Sequence, residues 1–478
     1  MIMSSRMVRL RLPAAALLVT GLFGCATVDF DQSIDRTNRE AAEFTGGKLT
    51  LARTNAQRES SAMAVADLLK QPLGQAEAIH LALANSPAVQ ASLAENWASA
   101  ASAAQSGRIA NPLFALSRVR LGAELDIERT LSFGLLDLLT LPQRYGIAQR
   151  RIEEARLRLT ADVIEEVTKV RQAWVKAVAA QQSRVYSRQV FESAEASAEL
   201  ARRMQAAGNF SKLARARQHA FYADAATQWA GAQHTATAMR EELVRLLGLT
   251  DAQATQLKLP DRLPDLPKEP LDPGAVSTAA NAERLDVRIA QSVLETTARS
   301  QGLNLLTTYT DIELGIRRDT RFDNDSGTKS SGRGYEVSVR LPIFDWGGMQ
   351  RSALDAQTLA AANRLEATIR AAGSNLREGY MAYRTAYDIA RHYRDEVVPL
   401  RKTIADENVL RYSGMIIGIF ELLADSRDQV SSVIAAIAAE EQFWLADAVL
   451  KASIMGKPMM NSGGFMKADT RRAGNAAH

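Results

Sequence analysis

Gly334-Tyr335-Glu336-Val337-Ser338-Val339-Arg340-Leu341-Pro342-Ile343-Phe344-Asp345-Trp346-Gly347-Gly348 is the stretch on which the fold turns. Tyr335, Val337, Val339, Leu341 and Ile343 fall on one side of an extended backbone, and Glu336, Ser338 and Arg340 on the other, because side chains of a strand alternate. The pattern predicts a strand over 334–344. A long helix is expected to follow, starting near Gly348 and running to Ser413, with Gly373, Gly379 and Pro399 as weak points.

Working outward, three more segments alternate. In 303–317, Thr308, Thr310, Ile312, Leu314 and Ile316 oppose Tyr309, Asp311 and Glu313. In 124–137, Leu125, Ile127, Leu131 and Phe133 oppose Glu124, Asp126, Glu128, Thr130 and Ser132. In 112–121, Leu113, Ala115, Val119 and Leu121 oppose Arg118 and Arg120. The polar stretch 319–332 between the last two strands has the composition of a flexible hairpin tip. Asp323, Asp325 and Gly327 within it faintly resemble a calcium loop, but the spacing is wrong for an EF-hand.

A soluble half-buried sheet produces the same alternation. A transmembrane barrel strand, about 9–11 residues long with an apolar outer face and a polar inner one, also fits. Arg129 would then sit on the lipid face, so it is expected near an interface, where a cation costs about 0–1 kcal/mol. Four strands cannot close around a pore, and open edges in lipid leave backbone groups unpaired. Several chains would therefore have to pool their strands.

The helical segments match that arrangement. Residues 147–207 contain neither Gly nor Pro, and as one helix these about 60 residues span roughly 90 Å. Val163, Val167, Val170, Trp174 and Val178 supply an apolar stripe at spacings of three and four. Gly208 breaks this helix, and 211–247 returns. Gly414 breaks the second long helix, and 419–455 returns. The order helix–strand–strand–helix–helix is thus expected twice, over 72–263 and 264–456, the second copy introduced by Pro264, Pro267, Pro270 and Pro273. A soluble coiled-coil rod explains the helices but not the paired strands.

The chain has 478 residues, 46% hydrophobic, with a net charge of +4. That charge is too small for a nucleic-acid binder, and no basic helix is interleaved with aromatics. Arg6, Arg9 and Arg11 followed by apolar 12–20 and Leu22-Phe23-Gly24-Cys25 resemble a bacterial lipoprotein signal, with 1–24 removed and Cys25 acylated. Ala26 in place of Asp then implies transfer to the outer membrane. Residues 25–71 are expected to be an extended or loosely ordered arm, and 457–478 a disordered tail. His80, His219, His234, His392 and His478 are scattered, so no zinc motif, no cofactor site and no catalytic constellation is expected. Met455, Met459, Met460 and Met466 admit a copper-handling reading, with an incidental cluster as the alternative.

Val337–Gly348 resembles the L-P-[IL]-F-D-x-G junction of the TolC outer-membrane efflux family, with Pro342, Phe344, Asp345 and Gly347 at its fixed positions. Glu77-Ala78-Ile79-His80-Leu81-Ala82-Leu83-Ala84-Asn85-Ser86-Pro87 is similar to the family's opening. Arg284-Leu285-Asp286-Val287 is similar to its second-copy opening, with Leu where Pro is usual. Arg411-Tyr412-Ser413-Gly414, then Phe420-Glu421-Leu422-Leu423 and Gln429, resembles the family's turn, one residue longer here. The resemblance implies a mainly α protein with a small β part. It implies a homotrimer whose three copies of four strands make a 12-stranded barrel in outer-membrane lipid, continued by a periplasmic α-helical barrel. Gly208 and Gly414 would mark the periplasmic tips, which meet a periplasmic adaptor (membrane fusion) protein and an inner-membrane RND-type pump. Glu421, with Asp425 second, would form the acidic aperture, drawing cations. Leu141-Pro142-Gln143-Arg144 looks most like the heavy-metal branch; drug efflux and type I secretion are rivals within the class. From another class, a non-pore periplasmic scaffold lipoprotein remains the alternative.

Overall fold

The computed structural model describes residues 28–281, 284–307, 311–341 and 343–459. In chain order the first elements are α1 (Phe30–Glu40), α2 (Ala42–Thr45), α3 (Asn55–Leu68), α4 (Gln75–Asn85) and α5 (Pro87–Ser106). Then come β1 (Leu113–Leu121), β2 (Glu124–Gly134), α6 (Leu135–Leu139), α7 (Leu141–Ala206) and α8 (Lys212–Leu247). They are followed by α9 (Asp251–Gln256), α10 (Pro273–Asn281), α11 (Leu285–Thr307), β3 (Ile312–Asp323) and β4 (Thr328–Val339). The chain continues through α12 (Gly348–His392), a π-helical turn (Tyr393–Val397), α13 (Val398–Ser413) and α14 (Ile419–Ile454). Two compact units divide it: one holds 28–33, 95–158 and 287–369, the other 34–94, 159–286 and 370 onward.

The first unit contains one antiparallel sheet in the order β1-β2-β3-β4. Sequence and structure differ at three places here. The second strand stops at Gly134, because Leu135-Leu136-Asp137-Leu138-Leu139 abandons alternation and turns helical; Arg144 then pairs with Asp137 at 2.6 Å. Residues 303–307 belong to α11 rather than to a strand, and 308–310 lie outside the described residues. The stretch 319–332 is not a loop but the far half of β3 and the near half of β4, with only Asn324–Gly327 turning. Its polar side chains read as loop, yet Arg321 pairs across to Asp126 at 2.9 Å and Asp319 pairs with Arg317 of its own strand at 2.8 Å. Asp323 closes the turn by accepting the amide of Asp325 at 2.9 Å and the Ser326 hydroxyl at 2.6 Å, so the faint calcium-loop pattern is a self-satisfied turn.

The second unit buries its own core. Tyr383, Tyr387 and Ala390 of α12 pack with Phe443, Ala446 and Leu450 of α14, together with Leu266 and Val276. The proline-rich linker, short of amide donors, is fastened through its carbonyls: Tyr387 donates to Pro267 and Lys268 at 3.1 and 2.9 Å, Tyr380 to Leu271 at 3.1 Å, and Trp444 Nε1 to Pro264 at 3.1 Å. Gly373 and Gly379 do not interrupt α12. The irregularity sits just before Pro399, whose missing amide and crowding ring would break a regular turn onto Asp395; the wider π turn relieves it.

From residue 28 on, the stretch expected to be a loose arm is ordered. Phe44, Leu49, Val65 and Leu69 are buried, Arg171 stacks its guanidinium 4.8 Å from the Phe44 ring centroid, and Asn38 exchanges two hydrogen bonds with Leu49, each 3.1 Å. Its apolar anchors are few and irregularly spaced, so no period marked them.

Both family-like openings have the same mechanical role. Asn85 donates to the carbonyls of Leu247 and Gly248 at 3.0 and 2.8 Å, and Pro87 packs onto Gly248, whose φ is +66°. In the second copy the Leu285 amide donates to Met455 at 3.1 Å, and Gly456, φ +83°, packs on the amides of Leu285 and Asp286. Each copy thus begins against the left-handed glycine that ends its own return helix. Buried Arg284 is held by Asp286 at 2.8 and 3.1 Å.

Candidate functional site: a two-faced sheet and two helical tips

Residues paired across antiparallel strands share a face, so the register sorts the sheet's charges. One face carries Glu124, Asp126, Glu128, Glu313, Asp319, Asp323 and Glu336 with Arg317 and Arg321: seven carboxylates against two guanidiniums, a net of −5. Both cations are engaged. Arg317 meets Glu128 at 3.0 Å and Asp319 at 2.8 Å, and Arg321 meets Asp126 at 2.9 Å. Together with Ser117, Val119, Ser330 and Gly332 these groups line a shallow concavity of about 350 Å³.

The opposite face carries apolar rows at the end away from the hairpin turns: Phe133–Leu314–Val337, then Phe114–Leu131–Ile316–Tyr335. These side chains meet solvent; Tyr335 is 87% and Ile316 65% exposed. The register corrects the face assigned to β1. Leu113, Ala115, Val119 and Leu121 lie with the carboxylates, whereas Phe114 and Leu116 lie with the apolar rows. β1 has apolar residues on both sides, so alternation within it could not choose.

The junction after β4 is a turn, not a continued strand. Asp345 accepts the Gly347 amide at 2.8 Å, and Gly347 takes φ +78°, a left-handed conformation that Gly adopts without strain, immediately before Gly348 opens α12. Phe344 is 99% exposed. Pro342 and Cys25 lie outside the described residues, as do Met460, Met466 and His478.

Gly208 closes the tip between α7 and α8 in the left-handed conformation, φ +78°, with the Asn209 amide returning to Met204 at 2.9 Å. At the other tip the sequence reading shifts by one. Gly414 has φ −80°, and the left-handed residue is Met415, φ +59°. The structure brings the two tips together through Phe210 and Phe420, stacked with centroids 4.7 Å apart. Sequence reasoning passed over this pair, although each Phe stands two residues after a tip glycine, Gly208 and Gly418.

Glu421 sits exposed in the first turn of α14, where a carboxylate suits the helix N-terminus. Asp425, one turn on, is half-buried and bound to the Asn408 amide of α13. The two acids are therefore different: one is open, the other is part of the helix pairing. Arg427 lies 3.9 Å over the Phe221 ring, a second tie between return helices α8 and α14. Among the described residues, no group of three or more His, Cys, Asp or Glu is placed to hold a metal ion, and no helix is long and apolar enough to cross a membrane.

Two strand pairs, each followed in the chain by a long helix hairpin and joined in one four-stranded sheet, are the fold of the TolC-type outer-membrane efflux channels. The chain is similar to a membrane protein from Pseudomonas aeruginosa (20% identity, 82% of this chain and 93% of that one, TM-score 0.66). It is similar to the outer membrane protein VceC of Vibrio cholerae (15%, 80% and 96%, 0.64) and to the open-state outer membrane channel MtrE of Neisseria gonorrhoeae (18%, 80% and 89%, 0.64). No protein-family model and no curated protein matches the sequence.

Proposed function

We propose that this chain is one third of a homotrimeric outer-membrane exit duct of a tripartite efflux system, conducting small solutes passively. The observation that carries the reading is the sheet: charge inside one face, exposed apolar rows on the other, and two unpaired edges, β1 and β4. Long free edges demand partners. With four antiparallel strands, β4 of one copy meets β1 of the next in antiparallel sense, so head-to-tail repetition keeps one pattern and closes as a ring. Three copies give twelve strands, and closure satisfies every backbone group in lipid.

In this reading 1–24 is the signal, Cys25 the acylated anchor, 72–263 and 264–456 the two repeats, and 457–478 the tail. The tips at Gly208 and Gly414 dock on a periplasmic adaptor served by an RND-type pump. Three copies of exposed Glu421 form the aperture ring, with Asp425 bracing it. The acidic sheet face supports a cation-favouring lumen, which makes heavy-metal cations the first substrates to examine; drug and protein export are outlets of the same class.

The test is planar-bilayer recording of the full-length protein across a salt gradient. The proposal expects discrete conductance that prefers cations, reduced by Glu421→Gln. A protein that never conducts and leaves the membrane once Cys25→Ser removes the lipid is the periplasmic scaffold instead. A deletion strain challenged with copper, cobalt, zinc and antibiotics distinguishes the cargo.

A further inference from the structure

The apolar face of the sheet changes character toward its hairpin turns. Beyond the Phe114–Leu131–Ile316–Tyr335 row, the next row reads Leu116–Arg129–Arg318–Arg333. Arg118 follows in the row after that, and Arg120 and Lys329 in the last row before the turns. This end of the face holds six cations, and neither it nor the rest of that face holds a carboxylate. All but Arg129 are exposed.

The partners of these cations set them apart. The two arginines of the opposite face are both in ion pairs, whereas among the described residues Arg129 donates only to the Thr320 hydroxyl, at 3.2 Å, and Lys329 lies 5.2 Å from the Phe322 ring centroid. Arg129, Arg318 and Arg333 stand directly opposite one another on three consecutive strands. Like charges in that position destabilise a sheet unless an anion lies between them. A fan of guanidinium forks is suited to phosphate, which it binds through paired N–H groups.

We infer that this arginine girdle is a docking surface for phosphate-bearing lipid headgroups of the leaflet that surrounds the hairpin end of the sheet. The inference rests on the barrel reading, which puts this face against lipid. The apolar rows then lie at acyl-chain depth, and the cations stand where charged headgroups begin. The burden of Arg129 on a lipid face is thereby removed, because it belongs to a row that meets headgroups rather than hydrocarbon.

The test uses full-length protein in an uncharged detergent, titrated separately with diphosphoryl lipid A, dioleoylphosphatidylglycerol, dioleoylphosphatidylcholine and inorganic phosphate, with bound lipid read by native mass spectrometry. The two anionic lipids should be retained over phosphatidylcholine, lipid A most strongly, and added salt should weaken them. Each cation at an anionic surface is worth roughly a fivefold change in affinity. The Arg129→Gln, Arg318→Gln, Arg333→Gln triple variant should therefore lower anionic-lipid retention more than tenfold, while Arg317→Gln on the other face leaves it unchanged. Retention of lipid A by the triple variant at the parent level overturns the inference, as does inorganic phosphate displacing lipid A at equal concentration. Conductance of the same variant in phosphatidylcholine bilayers separates the two readings. Pores with lost lipid preference support the girdle, and absence of pores in the parent defeats the duct alone. If the triple variant does not assemble, the Arg120→Gln, Lys329→Gln pair is read in the same way.

Discussion

In the sheet, Tyr335 is 87% and Phe114 61% exposed; in the helical core, Tyr383 and Phe443 are each 1% exposed. Both regions are built of aromatic and aliphatic side chains, but only one of them completes its packing within a single chain. The helical core closes on itself: tyrosine hydroxyls hold the proline-rich linker, and each copy seals against its own terminal glycine. The sheet leaves its two edge strands exposed throughout, and Leu131, Ile316, Tyr335 and Val337 of the apolar face exposed with them. The difference separates the part of the molecule that completes its packing alone from the part that, in the proposed duct, would be covered by other copies and by lipid.

Substitutions should therefore separate the two regions. The largest effect is expected from Val337→Arg. If that face meets hydrocarbon, each copy bears about 2–4 kcal/mol near mid-bilayer. Trimers should be lost on size-exclusion chromatography while the helical content by circular dichroism stays at the parent value. A silent Val337→Arg would mean that the face meets water.

Gly248→Ala addresses the other side of the comparison. A Cβ there would lie 2.4 Å from Pro87 Cδ and 2.8 Å from Ser86 Cα, on a backbone with φ +66°. Overpacking and left-handed strain together cost about 2–4 kcal/mol. The unfolding midpoint of the helical part should fall, and an unchanged midpoint would show that the closure between Asn85 and Gly248 is not a structural seal.

A smaller, pH-dependent effect is expected at Glu441 in α14. Burial pushes its carboxyl up to about 7 from an ordinary value of 4.5, against a weaker opposing pull from Lys176. The folded chain then holds a proton that the unfolded chain releases, so stability falls as pH rises from about 4.5 to about 7. Above that range the buried carboxylate is ionised and its full penalty persists. Glu441→Gln should flatten this slope and raise the unfolding midpoint at pH 8; thermal melts across the range check both.

Much of this division was legible in the residues, and what was not has identifiable physical causes. Most of β2 and the Tyr335–Val339 end of β4 were legible because carboxylates or small polar groups alternate there with apolar side chains, Arg129 excepted. The face of β1 was not, since Leu113 and Phe114 are both apolar and only pairing with Ser132 and Leu131 decides between them. Arg321 was assigned to a loop because single-strand composition cannot register its ion pair with Asp126 on the neighbouring strand. Arg129 stood out alone in the sequence; its arginine neighbours emerge only once three strands are aligned. At the tips, Gly208 was readable as a left-handed stop, but Met415 was not, because a side chain with φ +59° contradicts local preference and is held by the surrounding turn. Glu421 was singled out through the family turn it resembles; its exposure is seen only in the structure. The bond from Asn408 that distinguishes Asp425 links two helices and has no signature in either.

Edge-to-edge joining of β1 and β4 from different copies is the central claim, and disulfide capture tests it most directly. Cysteines are placed singly along β1 and β4 in the full-length, membrane-inserted protein, paired across the two edges, and oxidised. Two intervening strands separate these edges within one chain by about 14 Å, too far for a disulfide. The account predicts a ladder of covalent dimers and trimers ending at three, confined to one register of pairs. Monomers alone at every register, with the edges open to water-soluble maleimide, would contradict it.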